Sequence, residues 1–175
     1  QTDGLDVVST ESLRMSYLSF NTEKEPFDDP LVRQAISYAI DREAIISGIY
    51  DDVGTPATSP LAPAVWGHNP DIESISYDMD EAQALLEQTD VADGFETTLW
   101  VYDVQQDIDK AVLIQESLAN IGITVNIEQL ELGAFLERTG NGEHDMFILG
   151  WTTVTADADY GMYALFHSDS KGAPG

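Results

Sequence analysis

The chain has 175 residues, 43% of them apolar, enough to bury one sizeable core within the usual size of a single domain. Its 32 Asp and Glu against 7 Lys and Arg give a formal charge of −25, a field that repels nucleic acid and anionic membrane surfaces. With no cysteine, disulfides, thiolate metal sites and a cysteine nucleophile are excluded within this sequence, and its longest apolar runs, such as Met146 to Leu149, fall far short of the ~20 residues that span a bilayer.

Along the chain, Leu13 to Asn21 alternates apolar and polar residues and reads as a strand. Asp29-Pro30 opens a helix, with Asp as N-cap and Pro in the first turn, and Val32, Ala35, Ile36, Ala39 and Ile40 form its buried stripe. Asp41 caps a second helix in which Ile45, Ile46 and Ile49 are expected to be buried, ending near Gly54. Pro56, Pro60, Pro63 and Gly67 make Thr55 to Asn69 a loop, with Trp66 inside it. Asp78 and Glu81 form a capping box for a helix carrying Ala82, Leu85 and Leu86. Phe95 to Tyr102 reads as a strand, Asp107 to Ile121 as a helix stopped by Gly122, and Ile123, Val125 and Ile127 as a further strand. Leu132 to Arg138 is a short helix, and Met146 to Trp151 is an apolar strand of the kind covered on both faces. This alternation from residue 95 onward predicts an α/β fold with parallel strands, whose ligands sit beyond the strands' carboxyl ends, near the segment after Trp151.

The acids are spread through the sequence and interleaved with periodic apolar residues, so they form a solvated shell around a core rather than a disordered tail. Such acidity, with Lys24, Lys110 and Lys171 as the lysines, resembles proteins of salt-loving organisms, in which ionic strength screens self-repulsion. Both ends of the sequence are polar and loop-like, without a basic and apolar leader, and the expectation is a piece of something longer.

No chemistry-bearing motif stands out. His68, His144 and His167 share no metal-ligand spacing, and with 32 acids close carboxylate pairs arise by chance. Asp157-Ala158-Asp159-Tyr160-Gly161 lacks the third oxygen ligand and the closing Glu of a calcium loop. Phosphate-binding glycine loops, nucleophile elbows and zinc helices do not occur. Neither a metal nor a cofactor is expected.

A series of phrases carries more information. Tyr17-Leu-Ser-Phe-Asn-Thr22 is followed by Pro26-Phe-Asp-Asp-Pro-Leu-Val-Arg-Gln-Ala-Ile-Ser-Tyr-Ala-Ile-Asp-Arg-Glu-Ala-Ile-Ile46. Then come the Pro-rich loop, Tyr77-Asp78, Ile121-Gly122-Ile123 and Gly150-Trp151. From about Leu13 to Ser168 the chain resembles the dipeptide/oligopeptide-binding family of extracellular solute-binding proteins of ABC importers. Arg33 and Arg42, two of four arginines, fall in the most specific stretch and are expected to make structural salt bridges.

The resemblance implies one α/β lobe over 1–175, half of a two-lobed clamp with the type II, cluster C fold of periplasmic binding proteins. The partners implied are a peptide or small solute, the first lobe of the same full-length protein and ABC permease subunits. The place implied is extracellular, anchored at the outer face of the cytoplasmic membrane. It further implies a ligand site at Trp151, Thr152, Thr153, Val154, Asp157 and Asp159, with Trp151 presenting its ring to the solute; the alternative place for that ring is the core. Where family members often carry an Asp for the ligand's amino group, this chain has Val154, and where some carry an Arg it has Ile148. Asp157 or Asp159 is then available for an amine. A non-peptide solute such as a sugar or nickel chelate, and a carboxylate-dependent hydrolase, are the alternative readings.

Overall fold

A computed structural model describes residues 10–172. The sequence ends read as loop-like, 1–9 and 173–175, lie outside the described residues. Four strands form one mixed sheet: β1 (Arg14–Phe20), β2 (Phe95–Tyr102), β3 (Ile123–Leu130) and β4 (Met146–Thr152), in the order β1-β4-β2-β3. β2 runs parallel to both β3 and β4, with Phe95 opposite Ile123 and Leu99 opposite Met146. β1 closes the other edge antiparallel to β4, with Arg14 opposite Thr152. The α/β class and the parallel strands expected from residue 95 onward are the observed ones.

Six α-helices are described: α1 (Pro30–Ala39), α2 (Arg42–Tyr50), α3 (Met79–Leu86), α4 (Gln105–Ala119), α5 (Leu132–Gly140) and α6 (Ala158–Phe166). The strand alternation divides the apolar residues between the sheet's two faces. Leu99, Val101, Ile123, Val125, Met146 and Ile148 join Val32, Ala35 and Ile36 of α1, Leu86 of α3 and Ile114 and Leu118 of α4 in the main core. Trp100 and Phe147 point the other way and meet Phe135 of α5, whose ring stands edge-on to Phe147 with centroids 5.7 Å apart.

The caps are local chemistry. Asp29, Asp41 and Asp78 accept backbone N–H groups of Leu31, Ala44 and Glu81. Gly122, at φ +81, ends the stretch after α4 in the left-handed region where a side chain is costly.

Several expectations need correction. Ile45, Ile46 and Ile49 do not reach full burial, and α2 contributes no fully buried residue because the described residues cover only part of its apolar stripe. The capping box at Asp78 is half formed, since the Asp78 N–H donates to the Tyr38 carbonyl rather than to Glu81. α4 starts at Gln105, so Asp107 lies inside the first turn, buried against Lys110. Arg33 and Arg42 bridge to backbone instead of acids: Arg33 Nη1 donates to the Phe27 and Asp28 carbonyls, and Arg42 Nη1 to that of Ala57 at 3.0 Å. Both therefore pin loops to helices. The stretch after Thr152, read as loop, turns into α6 at Ala158.

Candidate functional site

The carboxyl ends of the parallel strands β2, β3 and β4 lie on one edge of the sheet, where an open α/β layer presents ligands. Between Tyr102–Val104 and Gln129–Leu132 lies an open groove of about 580 Å³. Glu131 stands in it, but its carboxylate caps α5 by accepting the N–H groups of Gly133 and Ala134 at 2.9 and 3.2 Å. These two bonds hold its carboxyl below the ordinary value.

At the end of β4, Trp151 is half-buried. Its ring tilts against Tyr160 of α6 with centroids 5.2 Å apart, and its Nε1 is buried without a hydrogen-bond partner among the described residues. Thr152 is exposed, whereas Thr153 is 3% exposed and donates its N–H to the Leu13 carbonyl at 3.1 Å. A turn follows, closed by the Ala156 N–H donating to the Thr153 carbonyl at 2.9 Å, and Val154 projects from it at 69% exposure.

Asp157 caps α6: its Oδ1 accepts the Asp159 N–H at 3.0 Å. Asp159 is exposed in the first helical turn, where the positive end of the helix dipole favours an anion. The structure therefore gathers Trp151, Thr153, Asp157 and Asp159 about the start of α6 and leaves Thr152 and Val154 on the exposed rim.

Three features of this edge were not assigned from sequence. Trp66, 76% exposed, is tied to the turn by its backbone: its N–H donates to the Ala156 carbonyl at 2.8 Å, and its carbonyl accepts the Ala158 N–H at 3.0 Å. Tyr160 covers Trp151. Arg14 lies across Gly150, where a Cβ would stand 2.6 Å from its Cζ, so the guanidinium occupies the space that glycine leaves open. The sequence signal for Arg14 is its charge in a chain with 7 basic residues; for Trp66 it is a tryptophan in a Pro-rich loop.

The mixed α/β layer is that of the type II periplasmic-binding-protein class, and comparison with known proteins agrees. Residues 1–173 match the family "Bacterial extracellular solute-binding proteins, family 5 Middle". The chain belongs to that family, of the dipeptide/oligopeptide-binding type. It is 34% identical to the dipeptide-binding protein of Escherichia coli, over 95% of this chain and 32% of that protein. It is 35% identical to heme-binding protein A of Haemophilus influenzae, over 96% of this chain and 32% of that protein. The periplasmic binding protein DppA of Helicobacter pylori, solved with the peptide STSA, aligns with a TM-score of 0.85 and 42% identity, over 89% of this chain and 31% of that one. The chain thus spans about a third of the length of the relatives it matches. These relatives are binding proteins by name.

Proposed function

We propose that this chain is one lobe, residues 1–175, of a solute-binding protein that captures short peptides or a related small solute for an ABC importer. Its partners are the first lobe of the same full-length protein, which closes over the solute, and the permease subunits that receive it. The protein works outside the cytoplasmic membrane, anchored at its outer face, and binds its solute without turning it over. The observation that carries this reading is the match over residues 1–173 to a family whose relatives include a dipeptide-binding protein and a protein solved with a bound peptide. The lobe reading is supported by α6, which buries Gly161 alone while Tyr163 and Phe166 stand 50% and 59% exposed. Such apolar area asks for cover from further polypeptide.

The solute site consists of Trp151, Thr152, Thr153, Val154, Asp157 and Asp159. Within it the two acids have separate roles: the Asp157 carboxylate holds the cap of α6, so an amine of the solute meets Asp159. A non-peptide solute is the second reading, favoured by Val154, which places an apolar side chain at 69% exposure on the rim. The surface is of haloarchaeal type, its −25 charge suited to solvent of high ionic strength. Calorimetric titration of the full-length protein with a dipeptide panel and with heme tests the reading. Saturable binding of a peptide supports it, binding of heme alone moves it to the non-peptide class, and hydrolysis of the peptides replaces it.

A further inference from the structure

We infer that Trp66, rather than Trp151, is the aromatic platform of this lobe, and that it takes an apolar or aromatic side group of the solute. The inference rests on the solute-binding reading above and names the part of the solute that the lobe selects.

Trp151 is poorly placed to be that platform. Its ring is already covered by Tyr160 at 5.2 Å, and its Nε1 is buried. Trp66 has the opposite character, with 76% of its surface open while its backbone is fixed on both sides. Its N–H and carbonyl are bonded to Ala156 and Ala158, the residues that carry the chain from the β4 turn into α6. Gly67, next in sequence, lies so close that a Cβ there would stand 2.9 Å from the Ala158 Cβ. A tryptophan held by a fixed backbone loses little freedom when a ligand covers it, so its apolar area is available for binding.

Its neighbours set the chemistry it accepts. Val154 projects from the same turn at 69% exposure, and Tyr160, 40% exposed, starts the helix beside it. Asp157, to which Trp66 is bridged, has its carboxylate engaged by the Asp159 N–H. Val154 and Tyr160 therefore offer exposed apolar surface in the segment to which Trp66 is bridged, and a bulky uncharged group suits that surface. The bridge also joins the Pro-rich loop to the turn after β4, which puts Trp66 beside the proposed solute site.

The full-length protein, titrated calorimetrically with Phe-Leu-Phe and Gly-Gly-Gly, tests this. Wild type should bind the aromatic peptide more tightly. Trp66→Ala should weaken Phe-Leu-Phe on the order of tenfold while leaving Gly-Gly-Gly within about twofold, and Trp66→Phe should restore most of the difference. A Trp66→Ala protein that melts several degrees lower yet keeps both affinities would overturn the inference, because the ring would then pack on protein. Unchanged affinities with unchanged melting overturn it equally, and both outcomes leave the solute-binding reading intact. Wild-type protein that binds neither peptide removes the peptide reading and this inference together.

Discussion

Asp107 and Lys110, one turn apart at the start of α4, form an ion pair whose side chains are 4% and 7% exposed. Lys110 Nζ also donates to Ser16 Oγ at 2.6 Å, tying α4 to the edge strand β1, while Asp107 Oδ2 has no partner among the described residues. Removing one member strands a buried charge, which costs ~3 to 5 kcal/mol, whereas an apolar pair of similar volume is often neutral or better. Asp107→Ala should therefore destabilise strongly, and the double variant Asp107→Leu/Lys110→Met should recover most of the loss. Urea unfolding of both proteins checks this.

The cap at Asp157 makes a smaller, distinct prediction. Loss of an N-cap oxygen costs about 1 kcal/mol, and Asn serves as well as Asp. Asp157→Ala should lower stability by about that amount and Asp157→Asn by much less, in chemical denaturation at neutral pH. If solute amines are held by Asp159, Asp159→Asn should weaken peptides with a free amino group and spare their acetylated forms, with stability lowered by no more than about 1 kcal/mol for the lost charge at the start of α6.

At the opposite end of β4, Asp145 joins three parts of the fold. Its carboxylate accepts the Thr98 N–H and Oγ–H at 3.1 and 2.9 Å and Lys24 Nζ at 3.1 Å, linking β2, β4 and the loop after β1. Burial pushes this carboxyl up, but the bonds from Thr98 and Lys24 outweigh it and hold the group below its ordinary value. A depressed folded-state value means that the stabilisation is complete above the unfolded value of about 4 and disappears as pH falls through the folded value. Asp145→Asn should lower stability at pH 7 by about 1 to 2 kcal/mol and flatten the acid limb below about pH 4. Unfolding curves at stepped pH would show an unchanged acid limb if the carboxylate were incidental.

Salt addresses the charge as a whole. With −25 on the chain, removing screening should loosen the fold, and melting should rise between low and molar KCl. A melting temperature that does not move contradicts the high-salt reading.

The fold was legible where local chemistry and core periodicity agree. β2 occupies the residues expected, Gly122 ends the α4 stretch, and the Asp29 and Asp41 caps hold. α6 was not legible because Gly161 interrupts it and its apolar residues surround the helix without a stripe, so no helical period emerges. The burial of Ile45, Ile46 and Ile49 was misjudged because periodicity reports a face, not whether another element covers it. The site divides in the same way. In sequence, Trp151 to Asp159 stands out as a strand end running into a polar stretch, but the backbone bridge that ties Trp66 to that segment leaves no mark on side-chain pattern. Nor does sequence show that Asp157 is occupied as a cap.

The central claim is that this lobe binds solute as half of a clamp, and calorimetry on two proteins tests it most directly. Full-length protein and the 175-residue chain alone are titrated with the same dipeptide, Met-Leu. Enclosure between two lobes predicts tight, saturable binding by the full-length protein and weak or no binding by the isolated chain. Submicromolar binding by the isolated chain, or cleavage of the dipeptide by either protein, contradicts it.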